Sequence, residues 1–540
     1  MKRFFSLLCS LILAVSLLYA GSASAATKAD GTGIYLKTEK NSFGGVTILP
    51  ANQYDDGSFS VNYFNSDNLC WLFMDDSYQG QPVTVIGERA FSFDSADYIS
   101  IPETVVRIEK NAFKGSQIIQ ADIPEGCTFI GSSAFADCMF LNVVAVPESV
   151  TEIEPLAFAD SPKIDLQFAP KCIYTLMDGV IFHKGEKTLY FYPETLTDKS
   201  YTVPSGILAI GESAFKNDAL SEVILPDTLT KIETKAFLSC TNLTSLAIPA
   251  SVTEIQANAF PKSLSKLTVD KHNPVYEMVD GVLFDKTTHT LVWYPGQKKD
   301  KSYTVPKGTT AIMDTAFAGN ESLRKIKLPD SLESIGESAF QDCTSLSEIA
   351  LPAGIISIPD YAFSGCTALE KVTFPEGLTE IGRCAFNHCA LQELALPSSV
   401  EKVLSSAFNG NNFKAITMSA QIEWDSSVFS TCSKLQSVTV EAGITLIPSS
   451  MFSDCSALSE VNLPDGLTEI DSYAFRGCPA LKQMTIPASV TEIGYSVFNL
   501  DYNMGSDITL IVTEDSAAET YAKEQKINCE YSDADDWLNN

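Results

Sequence analysis

One dipeptide constrains this chain more than any other feature. Ala-Phe stands at 90–91, 112–113, 134–135, 157–158, 214–215, 236–237, 259–260, 316–317, 339–340, 362–363, 385–386, 407–408 and 474–475. Val428-Phe429, Met451-Phe452 and Val497-Phe498 bring the series to sixteen copies. Thirteen of the fifteen intervals are 21–23 residues long, and the other two are 57. A fixed period in this range marks stacked repeats. Length alone would suggest several globular domains at roughly 100–200 residues each; the period overrides that expectation.

One unit reads Leu243-Thr-Ser-Leu246-Ala-Ile248-Pro249-Ala-Ser-Val252-Thr-Glu-Ile255-Gln-Ala-Asn-Ala259-Phe260. Its first part alternates apolar and polar residues, the pattern of a short strand with one buried face. Pro249 ends that strand, because proline cannot donate to a ladder. Thirteen of the 25 prolines hold this place, from Pro102 to Pro487. Val-Thr-Glu-Ile is a second short extended piece, and Ala-Phe closes the coil. Ala lets the backbone turn closely, and Phe fills the interior. A 22-residue unit cannot bury its apolar face alone, but stacked units can. Stacked strands lie about 4.8 Å apart, so sixteen coils predict a rod or arc of roughly 80 Å.

The pattern Leu-x-x-Ile-x-Leu-Pro-x-x-Leu-x-x-Ile-Gly-x-x-Ala-Phe-x-x-Cys, nearly unbroken at Leu323–Cys343, resembles the BspA-type leucine-rich repeat of bacterial surface proteins. The resemblance covers about residues 83–500. It implies a leucine-rich repeat solenoid, β-rich, with short turns or helical turns in each coil. It also implies a secreted or surface-exposed protein, since some members of that family are adhesins binding host matrix proteins or other bacteria.

The rest of the chain is organised around the repeat. Lys2 and Arg3, the apolar run Phe4 to Tyr19 and Ala23-Ser24-Ala25 read as a signal peptide over residues 1–25. Its removal would take the net charge from −30 to −32. Residues 26–82 read as an N-terminal β cap, 83–505 as the solenoid, 506–531 as a C-terminal cap and 532–540 as an acidic tail. In the cap, Asp507–Thr513 and Ile527–Tyr531 read as strands around a helix at Ser516–Gln525. Each 57-residue interval reads as a normal coil plus about 35 extra residues. These are two related β-hairpin insertions, at about 172–200 and 274–302, with aromatic-rich runs around a polar turn. Tyr190, Tyr192, Trp293 and Tyr294 on them either stack on a sugar or anchor a protein partner, or pack the hairpins onto the solenoid.

No catalytic constellation, cofactor loop or metal-ligand spacing is visible. The four His, at 183, 272, 289 and 388, form no His-x-x-x-His pair. Glu152, Glu254, Glu380, Glu469 and Glu492 recur at one repeat position and read as a solvated stripe before a calcium site. With 67 acidic against 37 basic residues, the chain has no overall basic character for nucleic acid or an anionic membrane. Outward positions of the first strand form a flat, mixed-charge face of mostly small residues flanked by Glu222, Arg324, Lys325, Glu348, Lys371 and Glu393. Lys327 itself stands in the central row, among Ala247, Ala350 and Thr373. Such a face suits a protein or glycan on a host or neighbouring cell. The functional expectation is therefore a monomeric, non-enzymatic binding or adhesion protein outside the cell, with a structural spacer as the alternative. Fourteen Cys in an exported chain suggest disulfides. However, Cys138, Cys240, Cys343, Cys366, Cys389, Cys432, Cys455 and Cys478 all fall three residues after a repeat Phe. They read as a ladder of small buried residues, mostly free thiols.

Overall fold

The computed structural model describes residues 35–42, 46–51, 59–60, 63–66, 69–74, 76–78, 80–499 and 507–532. The expected leader at 1–25 and the tail after 532 lie outside the described residues. The chain divides into two compact units, Met1–Leu196 and Thr197–Asn540. Both are solenoids of stacked β-coils.

The coil at Leu323–Cys343 shows how sequence becomes structure. The strand Lys325–Lys327 alternates exposed, buried, exposed, with Ile326 pointing in. Pro329 ends it, and the strand Ser334–Ile335 follows with Ile335 inward. Next comes the corner. Ser338 has φ +54°, Ala339 and Phe340 are fully buried, and Asp342 has φ +56°. The residue before the Ala-Phe, Val-Phe or Met-Phe pair has φ between +51° and +63° in all sixteen copies. A left-handed residue there turns the chain so that the pair faces inward. The alanine carbonyl is left open to the preceding coil: the amide of Phe317 donates to Ala339 O, Phe340 to Ala362 O and Phe363 to Ala385 O, each at 2.8 Å.

In the second unit, first strands pair in parallel and in register. One such ladder runs Ser302–Thr304, Lys325–Lys327, Glu348–Ala350, Lys371–Thr373. Second strands form their own ladders, such as Leu446–Ile447, Glu469–Ile470, Glu492–Ile493. Between the two ladders runs a column of Phe rings. Phe340, Phe363 and Phe386 stack at 5.2 and 5.1 Å with interplanar angles of 3°. Each fully buried ring is worth about 1.5–3 kcal/mol in apolar transfer, and each stacked pair adds about 0.5–1.5 kcal/mol. The helix Ala517–Gln525 starts after Ser516, whose side chain accepts from the Glu519 amide. Its Tyr521 meets the last column ring, Phe498, edge-on at 6.2 Å. No described helix is long and apolar enough to cross a membrane. Each coil corner is a tight turn, not a helical one.

The first unit repeats this scheme, with Phe91, Phe113, Phe135 and Phe158 stacked at 5.1–5.6 Å. Its coils start earlier than residue 83: Leu69–Phe73 already pairs in parallel with Tyr98–Ser100 as a first strand, and Gln81–Ile86 with Arg107–Ile108 as a second. Alternation through Leu69–Phe73 is weak, so this coil reads in the sequence as irregular.

The extra length is also divided differently from the sequence expectation. In the second unit Tyr276–Val279, Val282–Asp285 and Thr290–Trp293 form an antiparallel meander. Its last strand pairs in parallel with the next second strand, Ala311–Ile312. Tyr294 then takes the place of a repeat Phe: its amide donates to Ala316 O at 2.8 Å and its ring stacks on Phe317 at 4.8 Å. It stands 34 residues after Phe260 and 23 before Phe317. The interval thus holds two coils, one enlarged by only about a dozen residues. The missing Ala-Phe hid that coil, because Trp293-Tyr294 stands in its place.

Candidate binding surface

The strand face of the second unit is assembled by register. Ser302, Lys325, Glu348 and Lys371 lie side by side in one exposed row. Thr304 lies beside Lys327, and Ala350 beside Thr373, in a second row. Ladder pitch sets neighbours in a row about 4.8 Å apart, and the rows are about 6.6 Å apart along the strands. Together these residues border an open groove of about 340 Å³. Lys325 Nζ lies 2.6 Å from Glu348 Oε1, and Lys325 holds the Glu348 carboxyl below its ordinary range. Arg324, Lys327 and Lys371 are exposed and form no ion pair with a described residue.

The other charged residues of the face stand apart. Glu222 lies in a separate two-stranded ladder opposite Ser200, whose hydroxyl donates to Glu222 Oε2 at 2.8 Å. Glu393 is exposed in the coil after Lys371–Thr373, where the strand pairing lapses until Ala415–Met418. That coil is one residue shorter between Cys389 and Leu391 than its predecessor between Cys366 and Leu369.

The hairpin aromatics are not one surface. Tyr192 and Tyr294 are buried, at 0% and 2% exposure. They cannot stack on a partner, and the expectation for these two is corrected. Their place in the repeat explains it, since Tyr294 occupies a core position. Its ring also meets Tyr303 at 5.0 Å. Trp293 is half-buried, edge-on to Phe260 at 5.7 Å. Tyr190 is half-buried against Tyr174, and its hydroxyl donates to the Ile153 carbonyl.

Two devices escaped sequence reading. One is the use of tyrosine hydroxyls where a ladder stops. In the second unit the second-strand ladder ends at Glu254–Ile255, and the Ile255 amide donates to the Tyr276 hydroxyl at 2.8 Å. The first unit does the same with Ile153 and Tyr174 at 3.1 Å, and Tyr521 receives the Val497 amide at 3.0 Å. The other device is the bond made by the cysteines. The twelve Cys whose side chains the structure describes are unbridged. The ladder thiols are more than small apolar fillers: Cys343, Cys366, Cys389, Cys455 and Cys478 each donate to the Phe carbonyl of the preceding coil, at 3.1–3.2 Å. Asn411, at the same repeat position, donates to Phe386 O at 2.8 Å, and Ser161 to Phe135 O at 2.8 Å. Burial pushes the thiols of Cys240, Cys432 and Cys478 up to about 12, so they stay protonated and unreactive. The repeated Cys was the available signal, but only the stacked geometry shows its acceptor.

A sequence profile described as BspA type leucine rich repeat region, in 6 copies, matches residues 61–183, 189–288, 296–414 and 379–505. Among solved structures, the chain is similar to a leucine rich cell surface protein of Faecalibacterium prausnitzii A2-165. Identity is 25% over 82% of this chain and 95% of that one, with a TM-score of 0.38. It is also similar to a leucine-rich repeat protein of Bacteroides ovatus, at 19% identity over 93% and 99% of the two chains with a TM-score of 0.41. A third is the pneumococcal vaccine antigen PcpA, at 19% identity over 94% and 100% with a TM-score of 0.31. No curated protein sequence matches the chain.

Proposed function

Because this chain belongs to the BspA-type leucine-rich repeat family, we propose that it is a non-enzymatic binding protein, displayed outside the cell or at its surface. Its strand face would engage a protein or glycan on a host or neighbouring cell. The observation that carries this reading is the in-register exposed face of the second unit, with charged and hydroxyl side chains projecting from a rigid stacked core. Central positions of that face are small, among them Ala247, Ala350 and Thr439. A face of this kind binds by many modest contacts, as flat polar interfaces do. The chain acts alone in this reading, with no metal, cofactor or second subunit.

The test is retention of the purified chain, at micromolar concentration, by immobilised matrix proteins and by intact neighbouring bacterial cells. Saturable retention that falls at least tenfold in an Ala247→Arg/Ala350→Arg/Thr439→Arg variant supports the reading. Absence of saturable retention on every surface makes the chain a spacer instead.

A further inference from the structure

Charge is distributed unevenly on the strand face. The chain carries 67 acidic and 37 basic residues, yet two adjacent coils bring Lys301, Arg324, Lys325 and Lys327 to one side of it. Arg324 lies directly beside Lys301, since its amide donates to the Lys301 carbonyl at 2.9 Å. Like charges opposite one another destabilise a sheet. Among the described residues only Lys325 is answered, by Glu348. Lys371 lies one coil further on in the row of Lys325 and Glu348. Beside these cations, on the outer coils of the groove, stand the hydroxyls of Ser302, Thr304 and Thr373, while Glu348 and Ala350 lie between Lys325 and Lys371. Glu348 and Glu370 are the acids on the first strands of these four coils, so the five cations outnumber them there, and charges beyond about 8 Å are largely screened at physiological ionic strength.

We propose that this groove binds an acidic polysaccharide, carboxylated or sulfated, through Arg324, Lys325, Lys327 and Lys371. The inference rests on the binding-protein reading above and names the partner of that face. Lys325 and Lys371 start from backbone positions two ladder steps apart, about 9.6 Å, with Lys327 about 6.6 Å along the strand. One small anion cannot answer all of them, whereas a polymer with an acidic group on every second sugar can. Hydroxyl side chains beside the cations suit a hydroxyl-rich ligand. The exposed rows hold no aromatic ring on which bases would stack, as single-stranded nucleic acid requires. They also hold no apolar pocket for the buried anchors of a peptide.

The test is binding of the full chain to heparin and to hyaluronate, with poly-glutamate and duplex DNA of matched charge as comparison ligands. Titration calorimetry at physiological and raised salt gives the affinities. We expect one of the two glycans to bind saturably and to weaken with salt. Lys327→Ala/Lys371→Ala should weaken it at least tenfold, with unchanged melting temperature. Glu348→Gln, which releases Lys325, should strengthen it severalfold. The proposal is overturned if neither glycan binds, or if the Lys variants leave the affinity unchanged. It is also overturned if poly-glutamate or DNA binds as tightly, since the groove would then read charge alone or an acidic protein. Loss of glycan binding with retained binding to cells or matrix proteins sinks this inference and leaves the broader reading standing.

Discussion

At the scale of single residues, the interior column and its thiols set the stability. Phe363 is fully buried, with stacked rings 5.2 and 5.1 Å away on either side. Phe363→Ala therefore opens a cavity that neighbouring coils cannot close, and should cost about 3–5 kcal/mol in urea unfolding. The thiols carry a pH signature. Cys432 and Cys478 are held up to about 12 in the fold, against about 8.5 in an unfolded chain. A group raised in the folded state contributes its stability fully below the unfolded value. That contribution is lost as pH climbs toward the folded one. Urea midpoints should fall steadily from about pH 8.5 upward, and Cys432→Ala/Cys478→Ala should make the decline shallower. The sequence placed these residues inside through their spacing from Phe. It gave no sight of the carbonyl each thiol meets, because that acceptor belongs to another coil.

At the scale of elements, the alternating strand, the ending proline and the Ala-Phe corner were all readable, since each follows from local pattern and steric limits. The helix after Ser516 was readable for the same reason, through its cap. What could not be read was the identity of Trp293-Tyr294 as a corner. Two large aromatics replace Ala-Phe there, and only the pairing of Thr290–Trp293 with Ala311–Ile312 reveals the equivalence. The exposed cations were legible as strand-face residues, but their clustering depends on which coils are neighbours. Ladder ends make a sharper prediction. Tyr276→Phe leaves the Ile255 amide without its acceptor, which should cost about 1–3 kcal/mol. Native-state hydrogen exchange should show the Ile255 amide losing protection while Ile470, in the middle strand of a continuing ladder, keeps it.

At the scale of the whole molecule, each coil depends chiefly on its neighbours, so length is adjustable in whole turns only. Deleting residues 341–363 joins Phe340 to Ser364 and Cys366, the equivalents of Gln341 and Cys343. Circular dichroism should show a folded chain with a modestly lower melting temperature. Deleting only 341–351 should abolish cooperative melting, because the Phe column and both ladders lose register. The buried thiols give the assembly a chemical memory. While the coils stay stacked, an oxidant outside finds the ladder thiols buried and out of reach. Once a stretch opens, thiols spaced one turn apart become free to cross-link with partners out of register, and the column cannot re-form around them. Oxidation of this chain would therefore record whether it has ever come apart, and unfolding rather than exposure to air would set its working lifetime.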